Sequence, residues 1–157
     1  MLMLTIIGCG NFNRSDDGVG VIIAQRLQQY LSTHPLPNVQ VYDCGTAGME
    51  VMFQARGTQR LIIVDASATG SEPGAVFKVP SSELEALPEP SYSLHDFRWD
   101  NALAVGRKIF REDFPEDVTV YLIEAENLDF GLELSPVVQC SSEKVFQEIV
   151  NSFESKR

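Results

Sequence analysis

Residues 4–27 read LTIIGCGNFNRSDDGVGVIIAQRL. An apolar strand, Leu2–Ile7, stops at Gly8 and a glycine-bearing loop follows. Then Val19, Ile22, Ile23, Leu27, Tyr30 and Leu31 recur at helical spacing, which predicts an amphipathic helix over residues 17–32. Strand, glycine turn and helix in this order resemble a phosphate cradle. Yet Asp16 and Asp17 stand where the helix begins, and two carboxylates there repel an anion. The stretch sets the fold and leaves open what the loop meets.

The same alternation runs on. Val39–Tyr42 reads as a short strand closed by Asp43-Cys44-Gly45, and Thr46 is placed to cap a helix over 48–56 with Met49, Met52, Phe53 and Ala55 on its apolar face. Leu61–Val64 is a continuous apolar strand ending at Asp65. Ala75–Val79 reads as an edge strand, and Pro80–Ser93 as a long surface connection. Asp100 opens a helix through Phe110, with Ala102, Leu103, Ile109 and Phe110 facing inward. Val118–Ile123 is a further strand, and Ser135-Pro136 starts a last helix, with Ser as cap and Val138, Val145, Phe146, Ile149, Val150 and Phe153 as its stripe.

Strands alternating with helices predict one domain over residues 1–157. Its fold class is α/β, a three-layer α/β/α sandwich with a mostly parallel twisted sheet of about five strands and helices on both faces. The formal net charge of -10 and the scattered Lys and Arg argue against nucleic acid and point to solubility or to a basic or cationic partner. No apolar run is long enough for a membrane span, and MLMLTII is too short for a secretory leader. Three distant cysteines, Cys9, Cys44 and Cys140, form no CxxC pair. The expected compartment is therefore the reducing cytoplasm, and the expected state a monomer, since no strong apolar stripe stands out.

In parallel sheets, sites gather outside the carboxyl ends of the strands. That rule selects Gly8–Asp17, Asp43–Thr46 and Asp65–Gly70. A dinucleotide reading has Gly8-Cys9-Gly10 and a ribose-type acid at Asp43, but its third glycine is Asn13 and its helix start is acidic. A cation reading uses Asp17, Asp65 and His95, two carboxylates and an imidazole, a set that suits zinc, nickel or cobalt. Each residue also has a structural reading: Asp16 and Asp17 as partners of the helix dipole, Asp65 as a loop cap, His95 as a solvated loop residue. Cys9 and Cys44 lack a spaced His, there is no serine elbow, and Glu124 and Glu126 are expected to face solvent.

Taken in order, these segments resemble the hydrogenase maturation endopeptidases. Gly8-Cys9-Gly10-Asn11 through Asp17-Gly18-Val19-Gly20 resembles the family's first loop, Asp43-Cys44-Gly45-Thr46-Ala47-Gly48 its Asp-x-Gly-Thr segment, and Leu61–Ala66 its central strand with the second acid. Gly70 with Pro73-Gly74 follows suitably, and Ser93-Leu94-His95 resembles the histidine segment. The resemblance implies a protease that removes the C-terminal extension of a nickel–iron hydrogenase large-subunit precursor. Asp17, Asp65 and His95 are then ligands to nickel supplied by the substrate, with zinc or cadmium as stand-ins in vitro. It implies that Asp43 and its glycines shape the groove for the substrate tail, and Asp43 joins the other three as a candidate catalytic residue. Arg14 is placed to neutralise Asp16 or to weaken the cation site. A non-catalytic maturation scaffold and a nucleotide-binding module with a degenerate loop stand as alternatives.

Overall fold

The computed structural model describes residues 2–84 and 98–154. Five strands form one sheet: β1 (Leu4–Cys9), β2 (Val39–Gly45), β3 (Arg60–Ser67), β4 (Val76–Pro80) and β5 (Asp117–Glu124). The order is β2-β1-β3-β5-β4, parallel throughout except for β4, which runs antiparallel to β5 at one edge. The helices are α1 (Val19–Thr33), α2 (Gly48–Ala55), α3 (Ser81–Leu84), α4 (Trp99–Phe110) and α5 (Pro136–Glu154). The expected α/β sandwich, mostly parallel and helix-covered on both faces, is what is found.

Strand parity divides the core in two. Ile6, Ile62, Val64, Ala66, Tyr121 and Ile123 pack beneath α1 and α5. Their chain neighbours Ile7, Leu61, Ile63, Val118 and Val120 pack beneath α2 and α4. Successive side chains in a strand point to opposite faces, so runs such as Leu61–Val64 fill both layers. α1 lies very close to the sheet: a Cβ on Gly20 would sit 2.2 Å from the Val64 carbonyl oxygen, so only glycine fits there.

Several local expectations are corrected. A 3₁₀ turn, Ser15–Gly18, precedes α1, which begins at Val19 rather than at residue 17. Thr46 does not cap α2; Ala47 occupies that position without a side-chain bond. Met49 and Phe53 are half exposed, while Val51, Met52 and Ala55 are the buried residues of α2. Ile109 is exposed, and Ser135, the residue before α5, donates its hydroxyl to Asp16. The connection from Pro80 starts with α3; its remainder lies outside the described residues. Leu128, Phe130 and Leu132 expose apolar surface on the loop after β5, Phe130 at 81%.

Several bonds tie that loop to the turn after β1, and one side chain anchors its two ends. Asp16 is 0% exposed and its carboxylate accepts four bonds: from the Glu126 and Asn127 backbone N–H groups at 2.9 Å each, and from the Ser135 N–H and hydroxyl at 2.7 and 2.8 Å. Hydrogen bonds to a charged, buried acceptor are each strong, and leaving a donor unpaired is costly. Asp16→Asn presents an amide to those donors and should lower stability by about 3 kcal/mol. Asp17→Asn, one residue on, should change it by less than about 1 kcal/mol. Urea unfolding of the two variants measures the contrast.

Candidate active site

The chain leaves β1 towards β2 and leaves β3 towards the opposite edge. The two loops therefore part company beyond the carboxyl ends of β1 and β3, and a crevice opens between them. Asp65 lies near the carboxyl end of β3, in the buried run that closes at Ala66. By parity it shares the face of Leu61 and Ile63, the face covered by α2 and α4. Asp17 reaches the crevice from the 3₁₀ turn, its Oδ2 accepting the Asn11 N–H at 2.9 Å. Gly10 lies between them with φ of 133°: a Cβ there would stand 1.9 Å from the Asp17 carbonyl oxygen and 3.5 Å from Asp65 Oδ1. The approach of the two acids thus depends on a residue without a side chain.

The resulting cavity is about 260 Å³ and is lined by Asp17, Asp65, Cys9, Gly10, Thr46 and Arg98, among others. A second hollow of about 310 Å³, lined by Phe12, Gln25 and Asp43, shares Gly10, Gly45 and Thr46 with the first. Asp43 stands in this outer hollow, away from the other two acids. Its Oδ1 accepts the Gly45 N–H at 3.0 Å and its Oδ2 the Gln25 amide at 3.3 Å. It belongs to the α1 face of β2, so the sheet separates it from Asp65.

Asp65 is 2% exposed. Its Oδ1 accepts the Ala66 N–H at 2.8 Å, and its Oδ2 meets Arg98 Nη2 at 3.0 Å. Burial is the main influence on this carboxyl. The guanidinium opposes burial, the Asp17 charge adds to it, and the result is a pKa pushed up to about 6. Arg98 carried no sequence signal. Only the parity of β3 and the start of α4 bring it to Asp65.

The thiols at this edge are held protonated. Burial above all, then the Asp65 charge, pushes Cys9 well above the ordinary thiol range, and burial with Glu50 and Asp43 pushes Cys44 up to about 11. A thiolate nucleophile is not available at neutral pH. Glu124, expected in solvent, is 3% exposed. Burial favours its neutral form, but bonds from Thr69 and Ser67 outweigh that and hold its pKa below the usual value. Arg14 does not reach Asp16. Its Nε donates to the Leu128 carbonyl and its guanidinium stacks on Phe130. Among the described residues no three His, Cys, Asp or Glu side chains gather to hold an ion. Asp17 and Asp65, two of the three expected ligands, line the same cavity, and His95, the third, lies outside the described residues.

A family profile described as hydrogenase maturation protease matches residues 21–152. The chain belongs to the hydrogenase maturation protease family. The matched span includes Asp43, Asp65 and position 95. The hydrogenase 2 maturation protease of Escherichia coli strain K12 is 28% identical over 151 residues, covering 95% of this chain and 89% of that one. The hydrogenase maturating endopeptidase HybD from E. coli superposes with a TM-score of 0.81 at 26% identity, over 98% of this chain and 93% of that one. The hydrogenase maturation protease HybD from Thermococcus kodakarensis shares the fold, with a TM-score of 0.75 at 23% identity over 97% of this chain and 99% of that one. As a maturation protease the protein is a hydrolase, and its crevice offers carboxylates rather than an activated thiol.

The raised Asp65 carboxyl has a measurable consequence. The folded protein holds that proton more tightly than the unfolded chain, whose carboxyl titrates near 3.8. Stability is therefore lost as pH rises from about 4 to about 6. Relative to Asp65→Asn, the native protein should lose about 3 kcal/mol across that window. Denaturant midpoints of both proteins at a series of pH values test this, and parallel curves would exclude the buried charge.

Proposed function

We propose that the protein is the endopeptidase that removes the C-terminal extension of a nickel–iron hydrogenase large-subunit precursor after nickel insertion. It recognises the nickel that the precursor carries. The observation that supports this reading is the pair of acids, Asp17 and Asp65, directed into one cavity on a strongly acidic protein of this family. Two carboxylates faced by a single guanidinium leave that cavity with a net negative charge, which suits a cation.

Asp17, Asp65 and His95 complete the coordination of the substrate's nickel. Hard oxygen donors on separate loops bind nickel more weakly than the thiolates of its own site, so the protease docks on the metal without removing it. The bound metal can polarise the scissile carbonyl or a water. The outer hollow, continuous with the cavity through Gly10, Gly45 and Thr46, receives the extended tail beside Asp43. Asp43 shapes this groove through its bond to Gly45. The reaction takes place in the cytoplasm.

Incubation with nickel-loaded precursor should shorten the large subunit, read by mass spectrometry. Asp17→Asn, Asp65→Asn and His95→Gln should each slow this by about 100-fold or more while leaving the circular dichroism unchanged. A stable complex with an uncut precursor would make the protein a scaffold instead. Thr46→Trp, which fills the junction of the two hollows, should impair cleavage while leaving the affinity for free Ni²⁺ within about twofold. Equal loss of both would place the tail elsewhere.

A further inference from the structure

Asp65 is in direct contact with a cation in the cavity. Arg98 Nη2 lies 3.0 Å from Asp65 Oδ2, the oxygen that the Ala66 N–H leaves unclaimed. Asp17 acts on the same guanidinium through its charge. The anchoring is unequal. Asp65 is buried, and the Arg98 backbone is fixed because its N–H donates to Asn101 Oδ1 at 2.9 Å at the start of α4. The Arg98 side chain, however, is 59% exposed and meets the carboxylate through one nitrogen in place of a two-pronged fork. Such a contact exchanges readily with water. A guanidinium never loses its charge, so it competes for this oxygen at every working pH.

From this we infer that Arg98 is a specificity-determining residue of the cleavage site: its guanidinium is the resident counter-cation of Asp65, which an arriving metal ion must displace. The inference rests on the cation reading above. It accounts for a selectivity that two carboxylates alone lack. A free divalent ion meets a site already neutralised in part and repelled by a neighbouring positive charge. An ion carried on a docked precursor arrives at high effective concentration, with the contacts of a whole protein surface to offset the displacement. Arg98 then swings to solvent from its fixed backbone. The outcome is a protease that binds loose metal weakly and responds to metal in place.

Calorimetric titration of NiCl₂ at mildly alkaline pH tests this on the native protein, Arg98→Met and Arg98→Met/Asp65→Asn. Arg98→Met should bind Ni²⁺ about tenfold or more tightly than the native protein, and the double variant should lose that gain. Equal or weaker binding by Arg98→Met, with binding by the native protein intact and dependent on Asp65, overturns the role of Arg98 and leaves the cation reading standing. No Asp65-dependent binding in any of the three overturns the cation reading itself. A crystal of the native protein soaked in Cd²⁺ gives a second measure that needs no variant. The Arg98 guanidinium should have left Asp65 Oδ2, and a guanidinium still in hydrogen-bond contact beside a bound ion refutes displacement.

Discussion

The carboxylate of Asp16 holds the carboxyl edge of the sheet together. Its four bonds join the turn after β1 to the chain leaving β5 and to the first residue before α5. That knot acts together with Ser15, whose N–H and hydroxyl donate to the Gly131 and Asp129 carbonyls, and with the Asn11 N–H, which donates to Asp17. Together they present Asp17 at the crevice while its neighbour is consumed in structure. Two adjacent residues of the same type thus do opposite work, and the reason is geometric: consecutive side chains in a tight turn point to different sides.

The second constraint is charge in a dry place. Asp65 sits at the end of a strand buried on both faces, where water is scarce and a full negative charge is disfavoured. Asp17 aggravates this, and Arg98 relieves it in part. A carboxylate in that balance is poised between a proton and a guanidinium. The same surroundings keep Cys9 and Cys44 protonated, so neither offers a thiolate at neutral pH.

Much of the fold was legible because its strands and helices are locally consistent. The apolar run at 61–64, the periodic stripe of α5 and the glycine break at Gly8 each signal their element without reference to the rest. The misreadings share one cause: they concern which neighbour a side chain meets. Ile109 and Phe53 fit a helical stripe but remain half exposed, Phe53 meeting only the edge of the packing at Phe110. Glu124 reads as a surface acid at a strand end, yet the loop from Ser67 to Gly70 folds over it.

The sequence by itself determined the alternation of strand and helix, the mostly parallel sheet, and the acids at the ends of β1 and β3, because periodicity and glycine turns are properties of neighbouring residues. Tertiary structure decided which acid of the pair at 16 and 17 is structural, that Asp43 lies on the far side of the sheet from Asp65, and that Arg98 meets Asp65. Those outcomes depend on strand parity and on chain segments far apart in sequence, and no local pattern encodes a contact between them.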